Sequence, residues 1–482
     1  MDRSGVFPLR YVRLGFAGIL AVCGACGCSS HHGASNGGPT PVKSQAFAPL
    51  SADDVSILFP APTRAADFAN LIAVSDLTTP DPADSTKRDP VWSDAAFRQF
   101  LELAGSQFAQ VSEANTRIGL PAEAQVKANW FVAGIRIDAG APGLSNEVQA
   151  RFGRSPEIRL IVQPVTRNAD GSPKVDDIAG HLIFDFSTKK HTQDGCLDTF
   201  VPDLDAYSAI VADVAAIRTK LAEGQLGTDK VSTSGVPLGV HPGLVDPMTA
   251  TNLRGEIVAF LEKHISGRLL DGMAIAGLPA NAGNPWIFLS MAFVPPGTRG
   301  APPNGGFVPV PSPTLDGPQF ALALLKAGSV PRVKPTPHTN NLNPITCRNN
   351  AAFNGQPNSG LPDAERKGVA TADLFVNPPP PTADQTRAIA DVVADPAKSN
   401  FFNTDCASCH TETERTMALE GVKTISGIDP TVLPAGQWDV RNFGWGDTGK
   451  PAFQATVTRR TANETAAVVA FINSDLLAKQ QH

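Results

Sequence analysis

Cys406, Cys409 and His410 stand in the order C-x-x-C-H, two thiols three residues apart with an imidazole beside the second. On the first turn of a helix, thiols so spaced can each add to one vinyl group of a haem, and the adjacent imidazole then falls on the iron as axial ligand. Other chemistries also use CxxC pairs. A zinc site needs about four ligands, and beyond His410 the chain has no cysteine and only His482 as a further histidine. A thioredoxin-like pair follows a strand in a βαβ pattern, whereas the residues before Cys406 read as helix and loop. The motif therefore points to one covalent haem c, with its iron on His410.

The other end of the chain carries an export signal. Arg3, Arg10 and Arg13 precede an apolar run from Leu14 to Val22, and Gly24, Ala25 and Gly27 follow, the pattern of a secretory signal peptide. The run is too short to span a bilayer core of about 30 Å, and no other segment approaches the roughly 18 apolar residues a spanning helix needs. Cys23, Cys26 and Cys28 close this region, which resembles a bacterial lipobox. Cys28 fits best, with Gly27, Cys26 and Ala25 before it. The resemblance implies a signal peptide over 1–28, lipidation of Cys28, and a flexible tether over 29–50. Ordinary cleavage near Gly27 is the alternative, and His31 and His32 in the tether read as solvated spacers rather than metal ligands. Of the seven cysteines, the signal region takes three and the haem motif two. Cys196 and Cys347 remain, and in an oxidising envelope they can form a disulfide.

About 450 mature residues exceed what one core usually serves, so two or three domains are expected. The net charge of −6 is small for this length, and no basic patch or nucleic-acid motif appears, so no nucleic-acid partner is expected. The clearest boundary is Asn377 with Pro378 to Pro381, a stiff stretch that cannot enter a helix interior. It divides a region over 51–376 from one over 382–482.

In the second region, Thr382 with Gln385 makes a capping box for a helix over 383–394, ended by Asp395-Pro396. Thr461 with Glu464 makes another for a last helix bearing Val468, Phe471, Ile472 and Leu476. Between them, Gly444 to Asp447 reads as loop, and Trp438, Phe443, Trp445 and Phe453 can wall a haem or fill a small core. A helix before C-x-x-C-H and an amphipathic terminal helix resemble the mono-haem c-type cytochrome domain, over about a fifth of the chain. The resemblance implies a small all-α fold, haem c on Cys406 and Cys409, iron ligation by His410, and one-electron transfer.

This chain departs from that family in one respect. Such domains usually supply a later methionine as sixth ligand, but Met417, only seven residues past His410, is the last one here. His338 and His191 are loop histidines that can serve instead, and an open sixth position is the third option. Two strong ligands suit electron transfer; an open site admits peroxide, O₂ or NO. His264 reads as an ordinary helix residue.

The region over 51–376 reads as an α+β domain with an antiparallel sheet and helices. Helices are expected from Ser93-Asp94 through Ala104 and over 205–223, and strands over 130–137, 158–165, 182–186 and 286–294. Ala169-Asp170-Gly171 suggests a hairpin. Asp176, Asp177, Asp203 and Asp205 read as solvated turns rather than a cation site. Together these point to an envelope lipoprotein, anchored at the outer membrane and facing the periplasm, whose haem exchanges electrons with a redox partner protein. A peroxidase-like haem enzyme or a gas sensor is the alternative.

Overall fold

The computed structural model describes residues 48–81, 83–105, 118–140, 154–191, 197–277, 287–296, 303–310, 383–397, 406–434, 442–446 and 454–478. Residues Gln45–His482 form one compact unit. Its centre is an antiparallel sheet flanked by helices, the α+β arrangement expected for the larger region.

The sheet runs in the order β1 (Ser56–Leu58), β4 (Trp130–Asp138), β5 (Glu157–Arg167), β7 (Ile178–Asp185), β10 (Leu270–Gly277), β11 (Ile287–Val294) and β12 (Gly306–Val310), with the short β6 (Pro173–Val175) on β5. Two hairpins stand apart from it, β2 (Thr78–Asp81) with β3 (Asp84–Pro90) and β8 (Ser187–His191) with β9 (Leu197–Pro202). The four expected strands are present within a few residues of their expected ends. The Ala169-Asp170-Gly171 turn is a hairpin from β5 to β6, with Gly171 at φ +83° and the Asp170 carboxylate accepting from the Ser172 N–H at 2.9 Å. Gly suits that left-handed position because it has no Cβ.

Strand residues alternate between faces, so register decides what each face carries. Ile135 and Ile137 pair with Leu160 and Ile158, which pair in turn with Leu182 and Phe184. Beyond the short α1 (Ala52–Val55), this apolar face packs against α2 (Asp94–Gly105), α3 (Leu204–Glu223) and α4 (Pro247–His264). Trp92, Phe97, Phe100 and Trp130 meet edge to face there, with ring centroids between 4.8 and 6.4 Å apart. Each such pair adds about 0.5–1.5 kcal/mol to the burial of its rings. At the other end, Ile57 and Ile137 face Val214, Ile257 and Phe260 around a void of about 20 Å³.

The opposite face carries Arg136, Asp138, Glu157, Arg159, Gln163 and Asp185. Polar alternation of this kind ordinarily marks a solvated face. Here the C-terminal chain covers it. That chain contributes α5 (Ala383–Ala394), α6 (Cys406–Glu420), β13 (Phe443–Trp445) paired with β14 (Ala455–Val457), and α7 (Arg459–Phe471), which runs on as a π-helical turn over Ile472–Leu477.

The Gln163 side chain accepts from the Trp445 N–H at 2.7 Å and donates to the Trp445 carbonyl at 2.9 Å. It thus extends β13's backbone bonding onto the sheet. The Trp445 indole, fully buried, donates to the Phe59 carbonyl at 2.9 Å. The Phe443 ring occupies the space over Gly134, where a Cβ would meet it at 2.6 Å. Asn473 exchanges hydrogen bonds of 2.8 and 3.0 Å with the Leu50 backbone.

Two expectations need correcting. Gly444 and Trp445 belong to a strand, because the sheet and Gln163 hold them extended. The last helix starts at Arg459, not after Thr461: the Thr458 hydroxyl caps it, accepting from the Thr461 N–H at 3.5 Å. Glu464 is no capping partner, since two guanidiniums take its carboxylate. Residues 377–381, the expected linker, lie outside the described residues, and the described chain on either side shares one core.

Candidate functional site

α6 begins at Cys406, so Cys406, Cys409 and His410 occupy its first turn. Positions i, i+3 and i+4 share one helix face. The side chains of these three residues lie outside the described set. The spacing the haem motif requires is nonetheless present in the backbone, and the residue types fit a covalently held haem.

Buried ion pairs and hydrogen bonds from α7 hold α6. Glu412, two residues beyond His410, is fully buried and accepts from Arg459 Nε at 3.1 Å, from Arg459 Nη2 at 3.0 Å and from the Arg460 N–H at 3.2 Å. The Thr413 hydroxyl donates to Glu412 and accepts from the Arg459 N–H at 2.7 Å. Arg459 also reaches Thr416 Oγ1 at 3.2 Å and Asp391 of α5 at 2.6 Å. One arginine at the start of α7 therefore ties α5, α6 and α7 together. Burial pushes the Glu412 carboxyl upward, with the Arg459 guanidinium opposing it.

Arg460 continues the chain of contacts. Its buried guanidinium donates to the Val393 carbonyl at 3.0 Å and the Asp395 carbonyl at 3.4 Å, and Asn463 donates to the Ala394 carbonyl at 2.8 Å. These satisfy carbonyls that the end of α5 leaves without helical partners. Arg460 Nε also donates to Glu464 at 2.7 Å, and Arg136 of β4 donates to the other Glu464 oxygen at 2.9 Å. Burial alone would raise the Glu464 carboxyl, but the Arg460 and Arg136 charges outweigh it and hold it down at about 2.

Beneath Glu464, Asp138, Glu157 and Asp185 sit side by side on three adjacent strands. All three are buried, and burial raises them to about 6, 7 and 6 respectively. Arg136 lies 3.5 Å from Asp138, Arg159 lies 2.9 Å from Glu157, and the Ser155 hydroxyl donates to Asp185 at 2.9 Å. Among the described residues no group of three or more His, Cys, Asp or Glu side chains is arranged to hold a metal ion.

The structure places the remaining expected residues as follows. Met417 is on α6 itself, half buried against the core. His264 ends α4, with Nε2 2.6 Å from the Asp213 carboxylate. Asp203 caps α3 through the Ala206 N–H at 2.9 Å, Asp176 pairs with Lys174 at 3.0 Å, and Asp177 is buried rather than solvated. Phe443 and Trp445 are committed to the sheet. Cys28, Cys196, Cys347, His338, Trp438, Phe453 and the His191 side chain lie outside the described residues. A separate cleft of about 830 Å³ opens near Phe293, Phe307, His264 and Arg268, with no residue of α6 or α7 in its walls.

Sequence reasoning missed the network of Arg136, Glu412, Arg459, Arg460 and Glu464. Its only local trace is charged residues in helices with weak amphipathic character. No protein family, curated protein or solved structure matches the chain. Among the described residues no helix is long and apolar enough to cross a membrane.

Proposed function

We propose that this chain is a haem c-bearing envelope lipoprotein that transfers single electrons. Cys406 and Cys409 hold the porphyrin through thioether bonds, and His410 ligates the iron. The bound group supplies a one-electron couple. The observation that carries the reading is the place of C-x-x-C-H on the first turn of a helix whose next turn is locked by Glu412, Thr413 and Arg459. That lock gives the motif a rigid base, and rigidity limits the reorganisation accompanying a change of charge.

In this reading α5, α6 and α7 are the cytochrome-like part. The sheet region supports it and offers the surface on which a redox partner in the envelope docks. Cys28 carries the lipid that anchors the chain at the outer membrane, facing the periplasm, and Cys196 with Cys347 forms a disulfide. The test is production of the full chain in a host that attaches haem in its periplasm. Intact mass should exceed that of the peptide by one haem, and the pigment should survive acid–acetone extraction. Replacing both cysteines, Cys406→Ala with Cys409→Ala, should abolish both signals. A colourless parent chain with the bare peptide mass would sink the proposal.

A further inference from the structure

We propose that the cleft at the far edge of the sheet binds one neutral, largely apolar organic molecule. It lies between β11 and β12 on one side and the end of α4 on the other, and it opens to about 830 Å³. Cavities that hold small organic ligands ordinarily span about 300–1,000 Å³. No residue of α6 or α7 lines it, so the site is independent of the haem.

The apolar wall continues the face of the sheet that carries the core. Met291 and Phe293 stand two residues apart on β11 and so share a face. Met291 pairs with Met273, whose sulfur accepts from the Trp92 indole N–H at 3.3 Å. Met291 is buried, yet Phe293 is 38 % exposed. Phe293 pairs across the strands with Phe307, and the two rings meet edge to face with centroids 5.5 Å apart. Gln99 of α2 fixes that edge, its Oε1 accepting from the Phe307 N–H at 3.4 Å. Gly267 brings the chain after α4 up against the end of β3, where a Cβ would stand 3.2 Å from the Pro90 carbonyl oxygen. The rings therefore face a walled recess, which receives a compact molecule, whereas a flat apolar patch would suit a protein partner.

The rim decides the charge of the occupant. Arg88 binds Glu262 at 2.8 Å, Lys263 and His264 both reach Asp213 at 2.6 Å, and Arg268 lies 3.8 Å from Asp81. Asp89 is exposed to water. Cations and anions around the mouth are thus matched, and a charged ligand would give up its hydration without entering a field of opposite sign. A neutral ligand leaves those pairs intact and covers Phe293 and Phe307. Rings in the ligand would meet these two edge to face or offset, and the Gln99 amide with the Ser93 and Ser266 hydroxyls in the walls supplies the few hydrogen bonds that orient it.

The probe is the neutral dye N-phenyl-1-naphthylamine, titrated into the full chain and read by fluorescence in one buffer for parent and variants. One saturable site is expected. Ala95 is exposed on α2 and lines the cleft, so Ala95→Trp should fill the recess and abolish that site while the thermal unfolding midpoint stays close to the parent's. Phe293→Ala should weaken the probe about tenfold, the scale of one apolar ring lost from the contact. Met248→Ser, at a residue 55 % exposed outside the cleft, should leave binding as it is. Displacement by 1-dodecanol, laurate and dodecylammonium, which share one alkyl chain, then reads the charge preference, and the alcohol should compete best by about tenfold. Absence of a saturable site, or equal binding by the parent, Ala95→Trp and Phe293→Ala, would overturn the proposal. Stronger displacement by laurate or by dodecylammonium would overturn it as well, because Arg268 or Asp89 would then be selecting a charged ligand. None of these readouts needs pigment, so a colourless chain would sink the haem reading and leave this one standing.

Discussion

Glu157→Gln tests the buried acid row directly. Glu157 sits between Asp138 and Asp185 on neighbouring strands, 4 % exposed, and burial raises its carboxyl from 4.5 to about 7. The groups facing it are Arg159, Asp138, Asp185 and Arg136, with Glu464 of α7 and the Tyr207 phenol of α3 nearby. A carboxyl raised on folding binds its proton more tightly in the native state. Its contribution is therefore fully present below the unfolded value near 4.5 and is lost as pH rises through about 7. The loss amounts to about 3 kcal/mol at most, at 1.36 kcal/mol for each pH unit between the two values. Glutamine stays neutral throughout and still accepts from Arg159. In urea unfolding at pH 5 and pH 8, the parent should lose more stability on going to pH 8 than the variant does, by up to about 3 kcal/mol. Asp138 and Asp185 titrate in the same row, so the difference belongs to the coupled set and not to Glu157 alone. Parallel pH profiles for parent and variant would refute the reasoning.

Glu464→Gln removes the anion shared by Arg136 and Arg460, leaving two buried guanidiniums undercompensated. Unfolding free energy should fall by about 3–5 kcal/mol in urea titrations at neutral pH, and a loss under about 1 kcal/mol would mean the pair is dispensable. Gly134→Ala places a methyl 2.6 Å from the Phe443 ring. It should cost about 1–3 kcal/mol, partly recovered in a Gly134→Ala, Phe443→Leu double variant, as thermal unfolding of the three proteins would show.

Much of the sheet was legible because its signal is local. Ile135, Ile137, Ile158 and Leu160 alternate with Arg136, Asp138, Glu157 and Arg159, and that period of two belongs to a strand wherever the strand ends up. The helix over 383–394 was legible because Asp395-Pro396 ends it sterically. The start of α7 was misread for an instructive reason. Thr461 and Glu464 satisfy the spacing of a capping box, yet Thr458 stands three residues earlier and caps equally well. Which of them caps is decided by where Glu464 is needed, and the partner that needs it, Arg136, is 328 residues away.

The amino-acid sequence by itself determined which groups stand close together: C-x-x-C-H on helical spacing, an apolar run behind Arg3, Arg10 and Arg13, and alternating strands that must pair. Those are properties of neighbours along the chain, fixed by bond geometry and side-chain period. Only the tertiary structure decided that the polar face of the sheet is covered and that the helix carrying C-x-x-C-H is bolted to it through Arg459, Arg460, Glu464 and Arg136. Alternation distinguishes one face from the other, but it does not say what lies on top. A buried charge is tolerable only where a distant partner arrives to meet it, and such meetings have no period to read.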